Sequence, residues 1–86
     1  MRPIQTRLTR LPEVLQALGV KRTALYEMQH RGVLTRPVSL TGGRAVGWPV
    51  HEIEAIIAAR LAGKSNDEVR ALVEQLHNAR AALGAA

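Results

Sequence analysis

The stretch Leu11–Leu34, LPEVLQALGVKRTALYEMQHRGVL, constrains the fold of this chain more than any other. Its spacing predicts two short helices joined by a tight turn. The first runs from about Pro12 to Leu18, with proline at a position that needs no amide hydrogen and Glu13 near the positive helix end. Val14, Leu15 and Leu18 form one apolar face, and Gly19 supplies the usual C-terminal stop. Val20 is the apolar plug of the turn. The second helix runs from about Arg22 to His30 and stops at Gly32. Ala24, Leu25 and Met28 point at the first helix, which leaves Arg22, Thr23, Tyr26, Glu27 and His30 outward. A short polar helix held by a compact apolar partner is the geometry that enters a DNA major groove. Spacing alone does not separate it from an ordinary helical hairpin.

Charge separates them. The 86 residues suffice for one small domain, and the net charge of +5 is unevenly placed. Residues 1–48 hold eight basic side chains (Arg2, Arg7, Arg10, Lys21, Arg22, Arg31, Arg36, Arg44) against two acids, Glu13 and Glu27. Residues 49–86 hold four against five. The front half is therefore the candidate for a polyanion. Seven of its eight cations are arginine, whose planar fork suits phosphates and guanine edges.

The flanking segments extend this pattern. Residues 1–6 read as a loose tail. The segment TRLTR, residues 6–10, reads as a short strand or extended arm. Its Arg7 and Arg10 are either phosphate or minor-groove contacts or simply solvated. Lys21 stands where the second helix would favour Ser, Thr, Asp or Asn as a cap, and a docked phosphate would relieve the unfavourable charge there. RPVSLTGGRAVGW, residues 36–48, carries a β-hairpin signal around Gly42-Gly43. Placing Val38, Leu40, Val46 and Trp48 on one buried face requires Leu40 opposite Val46, hence a loop of three or five residues. With either length Arg44 lies near an exposed tip, as on a wing. Trp48 is expected in the core.

PVHEIEAIIAARLA, residues 49–62, has Val50, Ile53, Ile56, Ile57 and Leu61 at helical spacing, with Glu52 and Glu54 expected on the outside. Ser65-Asn66-Asp67-Glu68 is a capping box that starts a fourth helix ending near Leu83. Its Val69, Leu72, Leu76, Ala79 and Leu83 alternate by three and four. Such a helix either folds back on the body or pairs with a second copy through Val69, Leu72, Leu76 and Leu83. The half-site logic of small DNA readers favours the dimer slightly.

No catalytic constellation is evident, and the chain is not expected to be an enzyme. His30, His51 and His77 lie on separate elements without ligand spacing. Ser39 has no base beside it. With no cysteine there is neither a disulfide framework nor a thiolate metal site, and no cofactor is implied. No apolar run reaches membrane-spanning length, and the first ten residues lack the apolar middle of a signal peptide. The expected location is cytoplasmic and nucleoid-associated, with no membrane partner.

RLPEVL, the GVKRTALY turn and helix, the RPV strand, and GGRAVGW followed by an acidic helix occur here in order. Over about Arg7 to Arg60 the chain resembles the AlpA family of phage-type transcriptional regulators, relatives of the excisionase and MerR winged-helix domains. The resemblance implies a mainly α fold with a small β-hairpin wing, a winged helix-turn-helix followed here by a C-terminal helix. It also implies a regulator of prophage genes that binds double-stranded DNA. Lys21 departs from the serine usual in the family, and residues from Lys64 onward lie outside the common domain.

The expected organisation is thus a tail at 1–6, a DNA-binding winged helix-turn-helix at 7–63, and a helix at 64–86 for dimerisation or packing. The recognition helix, about 22–30, lies in the major groove, and the wing, about 37–48, lies on the backbone or minor groove. Arg22, Thr23, Tyr26, Glu27 and His30 face the bases. Tyr26 either does so fully or packs its ring on the core edge, and Glu27 either accepts from a cytosine amino group or repels wrong sites. Lys21, Arg31 and Arg36 contact phosphates, and Arg44 acts from the wing. Two other roles fit the same sequence. One is an excisionase that bends attachment-site DNA beside an integrase. The other is an adaptor whose last helix docks a protein such as integrase or RNA polymerase.

Overall fold

The computed structural model describes residues 7–84, so the tail expected at 1–6 lies outside the described residues. The elements in chain order are β1 (Leu8–Thr9), α1 (Leu11–Leu18), α2 (Arg22–His30), β2 (Val38–Ser39), β3 (Val46–Pro49), α3 (Val50–Leu61) and α4 (Asn66–Gly84). The fold is mainly helical, with a small antiparallel sheet in the order β1-β3-β2. That architecture is compatible with a winged helix.

The helix pair forms as its sequence dictates. Gly19 takes φ 70°, and the amides of Gly19 and Val20 donate to the carbonyls of Gln16 and Leu15. This paired closure satisfies the last carbonyls of α1 and turns the chain sharply. Gly32 closes α2 in the same way, with Val33 donating to Met28. Neither helix has a side-chain cap. Arg10 and Lys21 occupy the cap positions with extended backbone and no capping hydrogen bond.

One apolar core joins every helix. Val14 of α1, Leu25 of α2, Val33 and Leu34 after α2, Trp48 of β3, Ile53 and Ile56 of α3, and Val69 and Val73 of α4 are all buried. Trp48 lies in this core as expected, and its indole N–H donates to the Thr35 carbonyl at 2.9 Å. That bond satisfies the polar edge of a ring otherwise taken out of water. β1 extends the sheet on the far side of β3, with Leu8 opposite Pro49 and Thr9 opposite Trp48.

The hairpin departs from its expected register. Val38 pairs with Gly47 and Ser39 with Val46, and the Leu40 amide donates to the Ala45 carbonyl at 2.8 Å. The loop is therefore the four residues Thr41–Arg44. Val38 and Leu40 lie on one face of the sheet, Val46 and Trp48 on the other. The reason is Gly47. A Cβ there would stand 3.3 Å from a Leu40 methyl and 2.8 Å from the Thr9 carbonyl oxygen. The absent side chain lets Leu40 lie across β3 while Trp48 fills the core from the opposite face.

α3 and α4 carry two further departures. Glu52 was expected outside but is fully buried, whereas Leu61 was expected inside but is 84% exposed. The capping box forms as read: Ser65 N–H donates to Glu68 Oε1 at 3.0 Å and Glu68 N–H to Ser65 Oγ at 3.2 Å. α4 then folds back on the body. Val69 is fully buried, Leu72 and Leu76 pack against the core, and Val73 takes a core position outside the three-four alternation. Leu83 is 51% exposed and Ala79 is exposed. Three of the four residues considered for pairing with a second copy thus serve the chain's own core. Arg80, one turn before Leu83, faces inward onto Glu52, so the inward face of α4 departs from the three-four alternation there.

Candidate nucleic-acid interface

α2 leaves the core on one side only. Leu25 is buried and Ala24, Met28 and Gln29 are half-buried, while Arg22, Thr23, Tyr26, Glu27, His30 and Arg31 are exposed. Thr23, Tyr26, Glu27 and His30 follow three- and four-residue spacing along the outer stripe. Tyr26 is 54% exposed, so its ring stands on the surface instead of folding onto the core edge. Lys21, Arg36 and Arg44 are exposed as well.

The residues singled out from the sequence border more than one groove. Arg22 and Arg44 line a groove of about 510 Å³ with Arg10, Leu11, Pro12, Glu13 and Val46. Here the start of α1, the start of α2 and the β2–β3 hairpin come together, so three arginines from separate segments border one concavity against a single carboxylate. Ser39 Oγ donates to the Gly43 carbonyl at 3.2 Å and braces the loop that carries Arg44. Glu27 and Arg31 border a smaller groove of about 260 Å³ with Arg60 and Asn66. Arg60 donates to the Asn66 side chain at 2.9 Å, which ties the end of α3 to the start of α4.

Arg36 belongs elsewhere. It lines a groove of about 490 Å³ with Gln29, Gly32, Leu34, Arg70, Val73, Glu74 and His77. Its backbone is held twice by α4: its N–H donates to His77 Nε2 at 3.1 Å, and its carbonyl accepts from Arg80 at 2.6 Å. Arg80 also meets buried Glu52 through two hydrogen bonds, at 2.7 and 2.6 Å. Burial first, then the charges of Arg80 and Arg36, hold the His77 imidazole below the ordinary histidine value, against the raising influence of Glu52. A ring that accepts through Nε2 must be neutral there.

Arg60 and Arg70 lie outside the residues singled out from the sequence, which leaves Arg10 open between a phosphate or minor-groove contact and a solvated side chain. Arg10 had a local signal, since it flanks the helix pair inside a basic arm. Arg60 and Arg70 had none, because only the packing of α3 and α4 brings them to α2. Among the described residues no group of three or more His, Asp or Glu side chains is placed to hold a metal ion. No helix among them is long and apolar enough to cross a membrane.

The helix pair, the small three-stranded sheet and the exposed polar face of α2 are compatible with a winged-helix-like domain. Residues 7–61 match the family described as Prophage CP4-57 regulatory protein (AlpA), and the chain belongs to that family. It is 40% identical over 60 residues to the uncharacterized protein ORF88 of Enterobacteria phage P4, a match covering 70% of this chain and 67% of that protein. No solved structure matches.

Proposed function

We propose that this protein is a sequence-specific, double-stranded DNA-binding transcriptional regulator of phage type. α2 enters the major groove, and the wing, about residues 37–48, rests on the backbone or minor groove. It acts in the cytoplasm, on the nucleoid. The observation that carries this role is the convergence of Arg10, Arg22 and Arg44 on one groove beside the exposed stripe of α2. Arginines from three elements gather cations in one groove beside the stripe's N-terminal end, where a phosphate strand flanking an inserted helix would run. Thr23, Tyr26, Glu27 and His30 then supply donors and acceptors to base edges. The uncapped starts of α1 and α2 leave backbone N–H groups for phosphate oxygens.

The test is fluorescence anisotropy on labelled duplexes at two salt concentrations. Wild type should bind a generic duplex with a log–log salt slope of roughly −3 to −5, corresponding to a few phosphate contacts. Arg22→Ala should weaken specific binding more than non-specific binding, and Arg44→Ala should weaken both. Equal losses from both variants on every duplex would remove the division of labour. No binding at low salt would remove the DNA-binding role. A footprint on promoter DNA marks a transcriptional regulator, whereas one on attachment-site arms with strong bending would replace it with an excisionase role.

A further inference from the structure

Resting on the DNA-binding role above, we propose that the groove between the C-terminal turn of α2 and α4 is a second phosphate site. In it Arg36, Arg70 and the side-chain amide of Gln29 hold a backbone phosphate of the duplex. Three independent observations place this chemistry in one groove. The first is an orphan donor. Gln29 Nε2 is buried and makes no hydrogen bond, one of two such side-chain atoms among the described residues, and a rotation of the side-chain amide would turn it into the groove that Gln29 lines. A native protein rarely leaves a buried donor unpaired, and a ligand that accepts is one explanation for it. The second is charge. Gln29 shares the groove with the guanidinium groups of Arg36 and Arg70, against the carboxylate of Glu74 in the lining and that of Asp67, which pairs with Arg70 and leaves Arg36 as the unpaired charge among the described residues of the groove.

The third is preorganisation. Arg70 is fixed by Nε to the Arg31 carbonyl at 2.8 Å and by Nη1 to Asp67 at 2.6 Å. Its stem lies over Gly32, where a Cβ would meet Arg70 Cγ at 3.7 Å. Among the described residues, Arg70 Nη2 and the whole Arg36 guanidinium donate to no protein acceptor. The Arg36 backbone, in turn, is clamped by His77 and Arg80. These are free donors on fixed supports, which suits a tetrahedral oxyanion. The groove adjoins the C-terminal end of the exposed α2 stripe, whereas Arg10, Arg22 and Arg44 flank its beginning. A duplex gripped at both ends of α2 has its register fixed more tightly than one gripped at the wing alone. α4, outside the residues matched to the family, thereby gains a part in binding.

Two measurements on the full chain test this. Nitrogen–proton NMR follows the Gln29 side-chain amide during titration with inorganic phosphate at constant ionic strength. Anisotropy compares the salt slopes of wild type, Arg36→Gln and Gln29→Met on one duplex. Arg36→Gln is the deciding charge variant, because the Arg36 side chain makes no hydrogen bond among the described residues, whereas Arg70 also supports the end of α2 through the Arg31 carbonyl. Expected are a saturable shift of the Gln29 amide and a slope shallower by about 0.9 in Arg36→Gln. Gln29→Met should bind DNA several-fold more weakly while melting at or above the wild-type temperature, because it removes an orphan donor. A merely structural glutamine would lose stability instead, and that result would overturn the assignment. An unchanged slope in Arg36→Gln, with wild type still binding DNA, overturns this site and leaves the DNA-binding role standing. A saturable phosphate shift without any duplex binding refutes that role and overturns the assignment to backbone phosphate.

Discussion

Replacing Arg80 by methionine should destabilise the protein by several kcal/mol, roughly the cost of breaking a buried ion pair. Arg80 makes two short hydrogen bonds to Glu52, whose side chain is 0% exposed, and a third to the Arg36 carbonyl. Methionine preserves much of the apolar stem but leaves a buried carboxylate without a counter-charge. Such a broken pair costs about 3–5 kcal/mol, and the orphaned Arg36 carbonyl adds about 1 kcal/mol or less. A small domain has roughly 5–15 kcal/mol in total. At about 4 °C per kcal/mol, the conservative end for this size, Arg80→Met should melt at least roughly 12 °C below wild type. The assay is thermal and urea unfolding by circular dichroism at pH 7. The double variant Glu52→Met/Arg80→Met should recover most of the loss, because both charges leave together. A cost under about 1 kcal/mol, the value of an exposed pair, would refute the burial of Glu52 and return it to the solvent face.

Three further outcomes are expected. Gly47→Ala should cost about 1–3 kcal/mol by urea unfolding, because its Cβ would meet the Thr9 backbone oxygen at 2.8 Å and a strand cannot swing aside like a side chain; wild-type stability would show that β1 is not paired there. His77 is held below its ordinary value of 6.5, so its contribution is complete above pH 6.5 and lost as pH falls through the lowered folded value. Unfolding at pH 7.5 and pH 5 should show this loss in wild type and much less of it in His77→Gln, whose amide oxygen can still accept from Arg36; identical pH profiles would exclude His77. Ser65→Ala should cost about 1 kcal/mol by opening the capping box, read as a lower urea midpoint with unchanged slope.

The sequence by itself determined the elements whose causes are local. Gly19 and Gly32 end α1 and α2 because the turn needs a residue tolerant of positive φ, and Ser65 with Glu68 starts α4 because the two groups satisfy each other three residues apart. Periodicity within α2 separated the buried Leu25 from the exposed Thr23, Tyr26, Glu27 and His30 without any knowledge of what α2 packs against. Tertiary structure alone decided the rest, since its causes lie far apart in the chain. The hairpin register follows from a glycine on β3 that makes room for Leu40, against the apolar pattern that pointed to one buried face. Glu52 is inside because Arg80, 28 residues later, meets it there, and no helical pattern marks a carboxylate for burial. The grouping of arginines has the same origin. Arg10, Arg22 and Arg44 share a groove, and Arg36 joins Arg70 in another, because packing gathers charges that stand far apart along the chain.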